Sequence, residues 1–183
     1  KVTRFHGSQA FGYMFSPGHE PLRRQVAIRM RDAGVAVAPA DVVITHGCTD
    51  AVHMTLRVMT QPGDLIAVES PTYYGLLQVA DLLGLKVIEI PSDANTGISL
   101  EALQLAASQW SIKALVLTAR VSNPLGGTLP QARQRELLRL AERYDLQIIE
   151  DDIYGELMFD EGASRALKAF DRQGRVVYCS SFS

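Results

Sequence analysis

Short runs of β-branched and other apolar residues alternate along the chain with longer stretches in which apolar residues recur every three or four positions. The short runs predict buried strands, and the longer stretches predict helices of about 10–15 residues. We predict strands at residues 41–45, 64–70, 86–90, 113–119, 146–151 and 175–180. We predict helices at residues 21–34, 49–60, 75–84, 99–108 and 129–145.

Three of these helices have an apolar face that indicates which side meets the core. On the helix at 129–145 this face consists of Leu137, Leu138, Ala141 and Tyr144. On the helix at 49–60 it consists of Ala51, Thr55, Val58 and Met59. On the helix at 21–34 it consists of Leu22, Val26, Met30 and Ala33, with Pro21 near the start and Gly34 as the stop.

Alternation of strands and helices predicts the class of fold. It implies right-handed βαβ units and a mostly parallel sheet, and near-continuous apolar runs such as 114–117 fit strands covered on both faces. We therefore predict an α/β fold, a three-layer sandwich with a mostly parallel central sheet. The expected organisation is an N-terminal arm and helix at 1–35, followed by one domain at 36–183.

Composition and charge exclude several classes of protein. The net charge is −2, and no run of Lys or Arg indicates a nucleic-acid surface. No apolar run approaches the roughly 20 residues that span a bilayer. Cys48 and Cys179 are too few for a disulfide framework, which favours the cytoplasm. The four histidines lack the spacing of a zinc site, and we expect both ends of the sequence to be cut.

Several predicted strands are followed by groups that could bind a ligand, at the sheet edge where ligands of α/β proteins lie. After 41–45, Gly47 permits a tight turn and Cys48 or Thr49 can begin a helix, whose N-terminus suits an anion such as phosphate. After 64–70, Tyr73 and Tyr74 offer flat faces to an aromatic ligand. The alternatives are an ordinary turn and tyrosines that cover a sheet edge.

Three later strands end in polar side chains. Asn123, in a turn fixed by Pro124, offers both a donor and an acceptor. Asp151 and Tyr154 follow the next strand, and a buried carboxylate is costly unless it meets a cation or donors. The serines of "SSFS", including Ser181, follow the last strand. The alternatives are a turn asparagine, a helix cap and a solvated turn.

Taken singly, each of these features is better explained by its structural alternative. Together, five of the six predicted strands end in a group suited to one ligand. That ligand has an aromatic plane, a phosphate, a phenolic oxygen and a cationic ring nitrogen, which are the features of pyridoxal 5′-phosphate (PLP).

The order of the motifs resembles the PLP-dependent class I/II aminotransferases of fold type I. The motifs are Y…P-G…LR, GCTDA, SPTYYG, SNPLGG, EDDIY and SSFS, from about Tyr13 to Ser183. Within that family the chain is most similar to the aminotransferase-like domains of MocR-type regulators of the GntR superfamily, on GISLEAL, SNPLGGTLP, IIEDDIYGEL and YCSSFS. The resemblance implies the large domain of this fold, truncated before the small domain.

Phosphate contacts are the first roles that the resemblance implies. Gly47, Cys48 and Thr49 would contact the phosphate at the start of a helix, and Ser181 would contact it from the last strand end. Tyr13 would reach the phosphate of a partner subunit, so the resemblance implies a homodimer.

Contacts to the pyridine ring are the second set of implied roles. Tyr73 would stack on the ring, and Asn123 and Tyr154 would hydrogen-bond its phenolic oxygen. Asp151 would pair with the ring nitrogen, and keeping that nitrogen protonated makes the ring an electron sink. The family also implies cis peptide bonds at Ser70–Pro71 and Asn123–Pro124, although only about 5–6% of X–Pro bonds are cis.

Two departures from the family pattern limit the prediction of activity. The Schiff-base lysine, which is the nucleophile of the family, is expected directly after Ser183, and the arginine that grips the substrate carboxylate further on. We therefore expect these 183 residues alone to be unable to transaminate. Leu125 stands where the family more often has threonine, which weakens the assignment to a housekeeping aminotransferase.

Three functions remain open from the sequence. The favoured one is the effector domain of a MocR-type regulator, which uses PLP or a PLP–amino acid adduct as its signal and contacts DNA only through a separate upstream domain. The second is a free-standing aminotransferase acting on an amino acid and a 2-oxo acid. The third is a cofactor-free domain that keeps the fold. The sequence does not identify the small amino-acid ligand.

Overall fold

A six-stranded sheet forms the centre of the computed structural model, which describes residue 7 and residues 12–32, 34–158 and 165–183. The strands are β1 (Leu65–Ser70), β2 (Lys86–Asp93), β3 (Gly97–Ile98), β4 (Ile112–Leu117), β5 (Gln147–Asp151) and β6 (Val176–Cys179). Their order is β3-β2-β1-β4-β5-β6. Every neighbouring pair is parallel except β2 and β3, so the predicted mostly parallel sheet is confirmed.

Five α-helices accompany the sheet in the described ranges. They are α1 (Glu20–Asp32), α2 (Cys48–Met59), α3 (Tyr74–Leu82), α4 (Leu100–Gln109) and α5 (Gln131–Arg143). Short 3₁₀ helices lie at Pro39–Asp41, Gly155–Leu157 and Leu167–Phe170. Among these helices, none is both long enough and apolar enough to cross a membrane.

Two apolar cores lie on opposite faces of the sheet, because successive side chains of a strand point to opposite sides. On β4, Leu115 and Leu117 belong to the core that contains α4 and α5. Ala114 and Val116 belong to the core that contains α2 and α3. The predicted three-layer sandwich is therefore confirmed, with near-continuous burial along β4 because helices cover both of its faces.

The prediction of a strand at 41–45 is wrong. Residues 42–45 follow the 3₁₀ helix and belong to no strand ladder; the Ile44 amide donates instead to the Pro17 carbonyl at 2.9 Å. Val43 is 61% exposed. β-branched residues favour strands because they pack well on a pleated, half-buried surface, and this segment has no paired strand in the described ranges. The short strand β3 was not predicted, since two residues show no period.

The buried face of α2 also differs from the prediction. Val52 and Leu56 are buried, whereas Val58 is 87% exposed. Ala51, Thr55 and Met59 lie half-buried beside them. The predicted apolar face of α2 therefore lies one position away from the face that is buried. Val58 and the small residues of α2 fit two neighbouring faces of the helix about equally well, so the sequence does not distinguish them.

The other two helical faces agree better with prediction. On α5, Leu137 and Ala141 are buried, and Leu138 and Tyr144 are partly buried. On α1 the buried residue is Ala27, flanked by the half-buried predicted positions Leu22, Val26 and Met30. Ala33 lies outside the described residues. Gly34 follows α1 at a φ of +81°, as expected of a glycine that ends a helix.

Candidate functional site

The carboxyl ends of four strands meet at one edge of the sheet because β1, β4, β5 and β6 run parallel. Ser70 ends β1, Asp151 ends β5 and Cys179 ends β6. The Ser70–Pro71 and Asn123–Pro124 peptide bonds that follow β1 and β4 are both cis, as predicted. Because these strands are parallel, the turns that follow them carry the predicted polar groups at a common edge.

At this edge α2 begins without a side-chain cap. Gly47 precedes the helix at a φ of +107°, a conformation that favours glycine, and no side chain accepts a hydrogen bond at the cap. Asp50, in the first turn of α2, accepts from the His46 amide at 3.0 Å and caps no N–H group of the helix itself. The first N–H groups of a helix have no intrahelical partner, so this end, with the exposed Thr49, suits an anion.

Asp151 lies directly beside this helix start. The Sγ atom of Cys48, the first residue of α2, donates to Oδ1 of Asp151 at 3.1 Å. Burial is the main cause that raises the pKa of Asp151, and the neighbouring Asp152 carboxylate raises it further. A thiol is a weak donor, so the Asp151 carboxylate keeps the capacity to accept a stronger hydrogen bond from a cation.

A cavity at the ends of β1, β4 and β5 brings three of the predicted residues together. Thr49, Tyr73 and Asp151 line it. Tyr73 is 40% exposed, and its ring centroid is 4.8 Å from that of Tyr74. The remaining lining residues are Val52, Glu69, Thr72, Leu76, Val79, Val116, Leu117 and Thr118. The cavity is therefore lined by two acids, Asp151 and Glu69, and by a partly exposed aromatic ring.

Asn123 and Tyr154 lie in contact, although they are 31 positions apart. The Nδ2 atom of Asn123 lies 3.4 Å from the Tyr154 hydroxyl and donates to it. Both side chains are half-buried. An amide and a phenol in contact can both turn toward one oxygen of a ligand.

Ser181 and Tyr13 do not line the cavity. The Ser181 hydroxyl is 2.5 Å from that of Ser183 and also accepts from the Ser183 amide at 3.1 Å. Tyr13 is fully exposed, on the segment that precedes α1. Of the nine predicted residues, Thr49, Tyr73 and Asp151 line the cavity, and the other six do not.

Glu69 is a cavity residue that the sequence reasoning missed. It is 3% exposed, and its Oε1 accepts from the Thr118 amide at 2.8 Å. Burial raises its pKa to about 7. The signal was present in the sequence, because a carboxylate at the end of a buried strand was the argument already applied to Asp151.

A second missed group surrounds Asp152. Its carboxylate forms a buried ion pair with Arg120 and accepts from the Tyr178 hydroxyl at 2.6 Å. Arg120 is 6% exposed and Asp152 is 3% exposed. Sequence alone could not pair these residues, because three different strand ends supply them.

Among the residues that the structure describes, no three His, Cys, Asp or Glu side chains are close enough together to hold an ion.

The fold and the order of the motifs agree with one family of known proteins. The family described as aminotransferase class I and II matches residues 4–183. The chain therefore belongs to the class I and II aminotransferase family, and the resemblance seen in the motifs is confirmed.

Curated relatives include both regulators and enzymes. The chain is 45% identical over 183 residues to the HTH-type transcriptional regulator YjiR of Escherichia coli K12. This match covers 100% of the chain and 39% of YjiR. It is 35% identical over 188 residues to aromatic-amino-acid aminotransferase 1 of Thermococcus litoralis. This match covers 100% of the chain and 45% of the enzyme. The chain thus spans less than half the length of these relatives.

Solved structures show the same fold. Kynurenine aminotransferase of Pyrococcus horikoshii, in complex with PMP, superposes with a TM-score of 0.92 at 31% identity over 100% of this chain and 46% of that one. LysN of Thermus thermophilus, complexed with N-(5′-phosphopyridoxyl)-L-leucine, gives 0.91 at 30% identity, with the same coverage. The chain is therefore an aminotransferase-like domain.

Proposed function

We propose that this chain is the PLP-binding, aminotransferase-like domain of a MocR-type transcriptional regulator, with PLP or its adduct with an amino acid as the signal. The observation that carries the proposal is the contact between Asp151 and Cys48. In this contact a partly buried acid lies beside an uncapped helix start. The acid suits a ring nitrogen, and the helix start suits a phosphate. The similarity to HTH-type regulators favours the regulatory reading.

The phosphate is assigned to the start of α2. We propose that Gly47, Cys48 and Thr49 supply backbone N–H groups to it, because the glycine conformation leaves this end open and no side chain caps it. Ser181 would complete the set from the end of β6. In a homodimer, the fully exposed Tyr13 would reach the phosphate of the partner subunit.

The ring is assigned to the cavity between the strand ends. When bound, PLP supplies an electron sink for reactions at the amino acid carbon. Asp151 would hold a proton on the ring nitrogen, and Tyr73 would cover one face of the ring. Asn123 and Tyr154, already in contact with each other, would orient the phenolic oxygen.

We also propose the organisation of the protein around this site. Residues 1–35 would form the arm that meets the partner subunit, and residues 36–183 the cofactor-binding part of the large domain. DNA would be bound by a separate upstream domain, as the HTH-type relatives suggest. Cys48 and Cys179 are free and buried, which fits a reducing cytoplasm.

Binding is tested by calorimetric titration of the full-length protein with pyridoxamine 5′-phosphate. This ligand is chosen because it cannot react with surface lysines. We expect one site per chain and a rise in unfolding temperature with ligand concentration. Pyridoxamine without the phosphate should bind at least about tenfold more weakly, as removal of a charge-assisted contact predicts. Absence of binding would leave the cofactor-free reading and overturn the proposal.

Asp151→Ala separates an electronic role from a structural one. We expect the variant to keep most of the affinity for pyridoxamine 5′-phosphate and to lower the pH at which the bound ring nitrogen loses its proton, because the neighbouring anion is gone. The pH dependence of the ligand absorbance measures this shift. Asp64→Ala, at the opposite sheet edge, is the control. Lost affinity with an unchanged absorbance profile would make Asp151 a structural cap.

A free-standing aminotransferase is the second candidate, favoured by the similarity to aminotransferase structures over the whole chain. The full-length protein loaded with PLP would then convert amino acids to 2-oxo acids in a half-reaction. Failure with a panel of amino acids, together with a winged-helix sequence upstream, would decide for the regulator. A missing winged helix would decide against it.

A further inference from the structure

Arg120, Asp152 and Tyr178 form a buried cluster next to the proposed site. The guanidinium of Arg120 meets both oxygens of the Asp152 carboxylate, through Nε at 3.0 Å and through Nη2. The Tyr178 hydroxyl donates to the same carboxylate at 2.6 Å. Burial raises the pKa of Tyr178, so this hydroxyl stays a donor at neutral pH. We call these three residues the Asp152 cluster.

Each member of the Asp152 cluster lies close in sequence to a residue of the proposed site. Arg120 precedes Asn123 in the turn after β4, and Asp152 directly follows Asp151. Tyr178 lies on β6, and Ser180, two positions on, donates to the Asp152 carbonyl at 2.9 Å. The cluster therefore ties together the three strand ends that carry the ring and phosphate contacts.

The turn after β4 needs such an anchor. Val121 has a φ of +52°, which is unfavourable for a β-branched residue and persists only where the surroundings hold it. Its amide donates to Thr128 Oγ1 at 3.2 Å, which closes the turn. Arg120, directly before Val121, is fixed by Asp152.

Gly155 shows how closely the two loops pack. A Cβ atom at this position would overlap the Arg120 guanidinium and the Asp152 carboxylate. Gly155 directly follows Tyr154, whose hydroxyl accepts from Asn123. The absence of a side chain thus lets the loop that carries Tyr154 lie directly on the ion pair.

We propose that the Asp152 cluster is a positioning device that sets the spacing of Asn123, Asp151 and Tyr154 around the cofactor ring. The identity of the ligand rests on the proposed function. The expected effect on the two loops does not. Loss of the ion pair would free the turn that contains Val121, and Asn123 would move away from Tyr154. The cluster itself touches neither ring nor phosphate in this assignment.

The test compares Arg120→Met with Asp171→Asn in the full-length protein. Asp171 is a buried partner of Lys168 near the opposite end of β6, so its substitution should destabilise the fold at a distance from the proposed site. Hydrogen exchange without ligand should rise in residues 118–129 and 152–157 in Arg120→Met, and not in Asp171→Asn. Affinity for pyridoxamine 5′-phosphate should fall at least about tenfold in Arg120→Met alone.

Unchanged exchange in both loops, or an equal loss of affinity in Asp171→Asn, would overturn the positioning role. If Arg120→Met does not fold, Tyr178→Phe removes only the hydroxyl donor and should weaken binding about twofold to fivefold. Tyr178→Phe with unaltered exchange and affinity would also overturn it. If the unsubstituted protein binds no ligand, the proposed function fails, and the exchange measurement still decides the inference.

Discussion

Glu69 illustrates how one buried side chain makes stability depend on pH. Its carboxyl group is 3% exposed beneath the cavity, where burial raises its pKa from the ordinary 4.5 to about 7. The groups that face it are the Thr118 amide, Asp151 across the cavity and Tyr73 at its rim. The folded protein therefore binds this proton more tightly than the unfolded chain does.

Stability should consequently fall as the pH rises from about 4.5 through about 7, because the protonated form favours the folded state. For Glu69 the change is about 3–4 kcal/mol, at about 1.4 kcal/mol for each pKa unit. Glu69→Gln keeps an acceptor for the Thr118 amide and should remove this part of the slope. Burial also raises the pKa of Glu150 to about 7, so Glu150 should account for the remaining dependence of stability on pH.

Urea unfolding of both proteins between pH 5 and pH 8 measures the slope. Glu89→Gln, on the exposed part of β2, controls for the substitution itself. Equal slopes in Glu69→Gln and the unsubstituted chain would show that Glu69 is ionised in the folded protein throughout this range.

At the scale of elements, two helices that begin near the carboxyl ends of the strands start in different ways. The hydroxyl of Ser99 caps α4 by accepting from the Ala102 amide at 3.2 Å. The start of α2 has no such cap, and Gly47 leaves it open. A capped start stabilises the fold, whereas an open start at the ligand edge remains free for an anion.

Ser99→Ala should therefore lower the free energy of unfolding by about 1 kcal/mol, the usual effect of removing a serine cap. Ser108→Ala is the matched control, because the Ser108 hydroxyl donates to the Leu105 carbonyl within α4 and caps nothing. Urea unfolding compares the two. A loss in Ser108→Ala as large as that in Ser99→Ala would contradict the capping role.

At the scale of the whole molecule, the sheet separates two cores that should respond independently to substitution. Ile66 belongs to the core with α2 and α3, and Ile148 to the core with α4 and α5. Ile→Val at either position should cost about 0.5–1.5 kcal/mol. Because the two sites share no cluster, the double variant should show the sum to within about 0.5 kcal/mol.

A pair within one core provides the contrast. Val116 and Ile149 are register partners on β4 and β5 and lie in the same core. Val116→Ala combined with Ile149→Val should depart from additivity in urea unfolding, since each change alters the packing around the other. Additivity here and coupling between Ile66 and Ile148 would contradict the two-core description.

The sequence by itself determined the alternation of strands and helices, the family and the residues of the proposed site. Asp151, Asn123 and Tyr154 could be predicted because each follows an apolar run, and parallel strands bring their carboxyl ends to one edge. Prolines and glycines marked the turns. These signals are local, or repeat with a fixed period, so they can be read without knowing the contacts.

Tertiary structure decided which of those residues meet and what supports them. Residues 41–45 have the composition of a strand but no paired strand in the described part of the chain, and α2 turns Val58 outward to bury Val52. The pairing of Arg120 with Asp152, and the burial of Glu69, depend on contacts between strand ends that lie far apart in sequence. Pairing and burial are properties of the packed chain, and no local pattern encodes them.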